Sequence, residues 1–355
     1  MTAARLSRVA VVKPFRALRY DERLAGRLDT LVAPPYDVIS SEERKRYLGR
    51  SPYNVVHLTL PDDEQEAASS LASWRRDGVL AHDEQPALWW LRQDYVGPDG
   101  VARSRDGLVC ALRVEPYSAG VVLPHERTHA GPKEGRLRLL RATRTHVEPI
   151  FLLYEGTLVA PGGEPAIDVE LDGVRSRLWR LEQAPPSELA DAPLLIADGH
   201  HRYETALAFH DEDGTEASAW LLAVVVPTGQ EGLTIFPTHR IAAHTRPLPA
   251  LEPAPSNGRA VAEVYTRAGS GFLLGEEGEL DAELVGRYAD DVTYTPSADE
   301  ARAAVDAGTA ETAFLLRPPT VDQVAAVARA GRTMPQKSTY FYPKLTSGLL
   351  FLPLD

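Results

Sequence analysis

Cysteine is nearly absent from this chain of 355 residues. Cys110 stands alone, so no internal disulfide framework can form. It sits in the apolar stretch GLVCALRV, where burial raises a thiol pKa and a packed side chain is favoured over a reactive one. Lysine is scarce as well: only positions 13, 45, 133, 337 and 344 carry it, against 33 arginines. Long apolar runs are missing, and nothing approaches the roughly 18 residues of a membrane span. The opening MTAARLSRVAVV lacks the apolar core and cleavage site of a signal peptide, so the expectation is a cytoplasmic protein. Positive charge is in deficit, with a formal net charge of −12. That argues against broad nucleic-acid binding, which needs basic patches to displace counterions, but it leaves room for a local cationic pocket. Hydrophobic content of 44% and charged content of 25% are ordinary for a globular chain.

The segments that are present read as mixed α/β structure. LVAPPYDVIS holds two prolines that fix an extended backbone, and Ser40 or Ser41 can cap the acidic helix SEERKRYL. EQEAASSLASWRRDGVL has helical spacing and ends at Gly78. ALWWLRQDYV and RSRDGLVCALRV flank a Gly-Pro-Asp-Gly turn and predict a β-hairpin. APLLIA reads as a buried strand, DGHH as a tight turn, RYETALAFHDE as a helix and SAWLLAVVVP as a second buried strand. The proline-rich 247–258 reads as a linker. This gives an expected region 1–246, the linker, and a C-terminal α/β region 259–355 with helices near DAELVGRYA, SADEARAAVDAG and TVDQVAAVARAG and a strand at TAFLLRP.

Two strings carry chemistry. HERTH at 125–129 spells the His-Glu-x-x-His of zinc peptidases, which requires a helix to put both histidines on one face. Here Gly131-Pro132 should end any helix after about two turns, and the flanks lack an apolar period, so a loop is expected. That loop still concentrates Glu126, Arg127, Thr128 and Lys133, either as a solvated charged face or as a site. IADGHHRYETA at 196–206 is sharper. A strand delivers Asp198 to a glycine turn, and His200, His201 and Arg202 fall where a helix starts. Unpaired N–H groups there suit a phosphate, Gly199 allows close approach, and Arg202 can fork onto oxygens. Asp198 can hold Mg²⁺ or orient a histidine, or serve merely as a helix cap. In the tail, Lys337, Ser338, Thr339 and Lys344 can contact phosphates or a substrate carboxylate, or form a polar surface.

PPYDVIS, HERT with a following PKE, IADGHHRYETA and MPQKSTYFYPKLTSGL together resemble the family called domain of unknown function 1015, from KPFRAL at 13–18 to the C-terminus. In that family the loop block reads H-E-x-T, which makes His129 incidental. The Asp-Gly-His-His-Arg box is similar, more remotely, to the phosphate box of ParB/sulfiredoxin-like proteins, which include CTP-binding partition proteins, ATP-using sulfiredoxins and nucleotide-dependent kinases of free serine. No sulfiredoxin-type cysteine precedes the arginine here. The resemblance implies a ParB/sulfiredoxin-like core and phosphoryl transfer from ATP or ADP (or CTP) with Mg²⁺ to a small hydroxylated metabolite, L-serine first. Asp198, His201 and Arg202 match the phosphate box, and Glu126 corresponds by motif to the glutamate that activates the hydroxyl. The alternative is a nucleotide-binding switch without turnover, against which stand the acidic charge and the lack of a basic recognition helix.

Overall fold

The computed structural model describes residues 9–126, 130–190, 193–255 and 259–355, and they form a mixed α/β protein. The chain divides into two compact units. The first comprises the described parts of 1–124 and 128–233 together with 343–355; the second holds His125, Glu126 and 234–342.

The first unit is built on a nine-stranded sheet. Its strands are β1 (Val12–Lys13), β2 (Leu88–Val96), β3 (Ala102–Arg113), β4 (Val122–Leu123), β5 (Ile150–Tyr154), β6 (Ile167–Leu171), β7 (Val174–Leu181), β8 (Leu194–Asp198) and β9 (Trp220–Pro227). They lie in the order β4-β8-β5-β9-β3-β2-β7-β6, with β1 also on β3. The β8–β4 and β9–β5 pairs are parallel and the others antiparallel. The central strands β5 and β9 are buried along their whole length, which is why they read as unbroken apolar runs rather than alternating ones. β2 and β3 form the expected hairpin, paired from Trp89↔Val109 to Val96↔Ala102. One sheet face shares a core with Tyr203 and Ala206 of a covering helix, and Cys110 is buried within it.

Helix α1 (Ser41–Leu48) starts at Ser40, whose side chain accepts from Glu43 N while Glu43 reaches back, the reciprocal cap its sequence spells. Helix α2 (Glu64–Arg76) buries Ala67, Leu71 and Trp74, one stripe at helical spacing. Helix α3 (Ala130–Thr143) corrects the expectation that Gly131-Pro132 stops a helix: it starts immediately before them. Proline in a first turn forfeits only an N–H that has no intrahelical acceptor. Helix α4 (His200–Asp213) follows β8 directly, and α3 packs between α2 and α4. Residues 127–129 of the HERTH string lie outside the described residues. Glu126 is extended and bridges Met334, so the start of the string is not helical.

In the second unit β10 (Thr234–Phe236) pairs with a strand at Tyr340–Tyr342. A five-stranded antiparallel sheet is formed by β11 (His239–Thr245), β12 (Arg259–Thr266), β13 (Gly269–Glu277), β14 (Ala289–Thr295) and β15 (Thr312–Leu316), in the order β13-β12-β15-β11-β14. Helices α5 (Asp281–Gly286), α6 (Ala298–Ala307) and α7 (Val321–Arg329) accompany it, with Leu284, Val285, Phe314 and Ala262 at its core. Among the described residues no helix is long and apolar enough to cross a membrane.

Residues 343–355 return to the first unit. Phe351 is fully buried and meets Tyr20 edge-on at 5.6 Å between centroids. Phe351→Ala is expected to cost about 3–5 kcal/mol, read as a lowered midpoint in thermal or urea unfolding.

Candidate functional site

The site begins with strand chemistry. Leu194–Ala197 are buried, and the register of β8 against β5 slips between Ile196 and Asp198, so the carboxylate leaves the ladder where the strand ends. Gly199 then turns the chain with φ +95°, and a Cβ there would lie 2.8 Å from Ile150 Cγ2. Both the left-handed backbone and the close approach demand glycine. Gly199 is the N-cap of α4 and provides no side-chain cap. The first turn of the helix therefore receives no side-chain acceptor from its cap residue, an arrangement compatible with an anion at a helix start.

Asp198 is not that cap. Its Oδ2 accepts from Arg202 Nη2 at 2.6 Å, and its Oδ1 accepts from Lys344 Nζ. Arg202 Nη1 donates to the Pro149 carbonyl, and the guanidinium is buried. Burial alone pushes the Asp198 carboxyl up, but the Lys344 and Arg202 charges override it and hold it well below the usual carboxylate range. Burial acts the opposite way on both cations, and the facing carboxylates again prevail, so each is raised and stays charged. His200 is buried beside this cluster and acts on Asp198 in the same direction as the two cations.

Three further blocks converge on the same place. Glu148, buried, accepts from Tyr36 N at 2.9 Å and from Ser347 Oγ at 3.0 Å. Burial raises its carboxyl pKa, with Arg202 and Arg136 opposing. Arg136 lies over the Tyr36 ring at 4.0 Å and donates to Thr59 O. Asp37 contributes negative charge to both Arg202 and Lys344. The tail that carries Lys344 is pinned by the β2–β3 hairpin: Arg105 Nη2 donates to Pro343 O at 2.7 Å and Gln93 Nε2 to Lys344 O at 3.3 Å. Ser347 and Ala33 exchange backbone hydrogen bonds. Tyr36, Asp37, Arg105 and Glu148 are thus parts of the cluster that sequence reasoning passed over. Tyr36 and Asp37 had a signal, since they close the PPYD block; a lone glutamate in HVEP had none.

A small cavity of about 40 Å³ adjoins the cluster, lined by Arg136, His146, Glu148, Arg202 and Thr205 among others. His146 Nε2 and Thr205 Oγ1 are buried there without a partner. The space admits a water or two, which is what such orphaned polar atoms call for.

The remaining sequence candidates fall elsewhere. Lys133 Nζ pairs with Glu204 at 3.1 Å. Glu126, Lys337, Ser338 and Thr339 belong to the second unit, where His125 Nε2 and Thr339 Oγ1 lie 2.9 Å apart and Ser338 donates to Pro335 O. Lys337 holds φ +55°. Glu126 adds its charge to the buried Arg240. Arg127 and Thr128 lie outside the described residues. Among the described residues no group of three or more His, Cys, Asp or Glu is placed to hold a metal.

Two outcomes are expected. Asp198→Asn leaves Lys344 and Arg202 without their counter-charge and should cost about 3–5 kcal/mol; adding Lys344→Met should recover part of that loss in a double-mutant cycle. For His146, burial lowers the ring pKa to about 4, against roughly 6.5 in an unfolded chain. The neutral ring therefore stabilises the fold fully above about pH 6.5, and this is lost as pH falls toward 4, about 3 kcal/mol across the window. His146→Gln should flatten that part of the stability–pH curve measured by urea unfolding.

Solved structures similar to this chain include a free serine kinase in complex with AMP, at 14% identity and a TM-score of 0.40, covering 65% of this chain and 89% of that one. A conserved hypothetical protein from Pyrococcus furiosus aligns at 14% identity and a TM-score of 0.38 over 65% and 93%. SbnI with a C-terminal truncation, from Staphylococcus aureus, aligns at 12% identity and a TM-score of 0.37 over 69% and 87%. No curated protein matches the chain. The family described as Protein of unknown function (DUF1015) matches residues 12–263, more than half of the sequence, and the chain belongs to that family.

Proposed function

We propose that this protein transfers a phosphoryl group from ATP or ADP to the hydroxyl of a small metabolite, with L-serine the first acceptor to test, on a core of the ParB/sulfiredoxin-like kind. The observation that supports this reading is the start of α4, which has no side-chain cap and lies next to a lysine held in place by Asp198. Backbone N–H groups and an ordered cation together are what a polyphosphate needs. Arg202 is already engaged at both terminal nitrogens, so its part is to fix Asp198 and, through it, Lys344. Lys344, His200, His201 and the first-turn N–H groups are the phosphate contacts.

In the proposed step the acceptor oxygen attacks the terminal phosphorus, the bond from phosphorus to the bridging oxygen breaks, and the departing nucleotide keeps that electron pair. Glu126 is the candidate for taking the hydroxyl proton. Catalysis of this kind consists of positioning and charge stabilisation. Both oxygens of Asp198 are engaged by cations, and no protein cage for Mg²⁺ exists among the described residues.

Phosphorus NMR of the purified chain with Mg²⁺, ATP or ADP, and L-serine tests the reading. A phosphomonoester signal that requires serine is expected. Glu126→Gln should abolish turnover while nucleotide binding persists, and Lys344→Met should lower turnover by about a hundred-fold or more. Nucleotide that binds unchanged with every hydroxylated acceptor would instead identify a nucleotide-binding switch.

A further inference from the structure

The second unit has a solvent-open pocket of about 370 Å³ that the phosphoryl-transfer reading does not use. Its size is that of a metabolite site rather than a water site. Leu280, Leu316, Pro318, Pro319 and Met334 supply apolar wall, and Arg259, Arg317 and Ser338 supply polar groups.

The charges in this wall are arranged unequally. Asp281 is fully engaged: it accepts from Arg317 Nε and Nη2 at 2.8 and 2.7 Å and from Val261 N at 2.8 Å. Glu279 is likewise committed, to Arg287 and to Glu276 N. Arg317 is thereby fixed as a rigid fork with Nη1 left over. Arg259 is fixed at the other end, its Nε donating to Gly275 O at 2.7 Å, while neither of its terminal nitrogens has a partner among the described residues. Each acid in the wall is thus held by an arginine, Asp281 by Arg317 and Glu279 by Arg287, whereas Arg259 forms no ion pair among the described residues. A guanidinium immobilised through Nε presents its terminal pair to a planar anion at low entropic cost.

We infer that this cavity binds a small monocarboxylate, its carboxylate on Arg259 and Arg317 and its body against the apolar wall. A planar guanidinium face beside two carboxylates already in the wall suits a monoanionic carboxylate better than a phosphate dianion. Ser338 Oγ, whose proton goes to Pro335 O, keeps lone pairs for a donor on the bound molecule. The inference stands independently of phosphoryl transfer.

Calorimetry on the full chain tests it with hexanoate, its neutral analogue hexanamide, and inorganic phosphate as probes. Hexanoate should bind at millimolar concentration or below, with hexanamide weaker by about ten-fold or more. Arg259 is exposed, so Arg259→Gln should leave the thermal midpoint unchanged while weakening hexanoate by about ten-fold. Lys344→Met, which alters the first unit, should leave hexanoate binding intact. Absence of heat with hexanoate, equal binding of hexanamide, tighter binding of phosphate, or indifference to Arg259→Gln would each overturn the inference; loss of hexanoate binding in Lys344→Met would assign the carboxylate to the Asp198 cluster and overturn it as well.

Discussion

The first unit is organised around one carboxylate. Asp198 sits where a buried strand ends and a helix starts, and it can be ionised there only because Lys344 and Arg202 flank it. An unpaired charge at that depth would be driven to its neutral form. Each partner is in turn held by something distant: Arg202 by the Pro149 carbonyl, and the Lys344 backbone by Gln93 and, through Pro343, by Arg105. The β2–β3 hairpin, the turn before β5, the β8–α4 junction and the tail are therefore constraints on a single charge arrangement. Satisfied networks of this type rigidify a site, and half-satisfied ones destabilise it.

That arrangement also explains a division of labour within the DGHHR box. An arginine after a phosphate-binding glycine invites the reading that it grips the ligand. Here its fork is spent on Asp198 and Pro149, which makes it a fixture of the cluster. The helix start can stay uncapped because Gly199 has no side chain with which to cap it, and a residue with a Cβ could neither adopt φ +95° comfortably nor clear Ile150.

What was legible in the sequence was local. The Ser40 cap, the hairpin across residues 97–100 and the strand–glycine–helix unit at 194–213 all announce themselves through spacing and turn chemistry, and all are present. Helix α3 was hidden because Gly131-Pro132 looks like a terminator at a helix end and is innocuous at a start. The β12–β13 hairpin was hidden because RAVAEVYT follows proline-rich sequence and its two-residue turn is Arg267-Ala268, which carries none of the Asn-Gly or Asp-Gly turn chemistry. The fourfold convergence at the site was not legible at all. Glu148 meets Tyr36 across 112 positions and Ser347 across 199, and periodicity carries no information at such separations.

The placement of residues 343–355 has a consequence for how the molecule is made. A chain emerging from a ribosome exposes β8 and α4 long before Lys344 appears, with all of the second unit's strands and helices synthesised in between. Until then Asp198 has Arg202 but not its second cation, and the pockets that receive Phe351 and Leu354 are open. The first unit thus cannot complete its core vectorially. It must close on a segment delivered after the whole second unit, which makes that step a long-range one and slow relative to local structure formation.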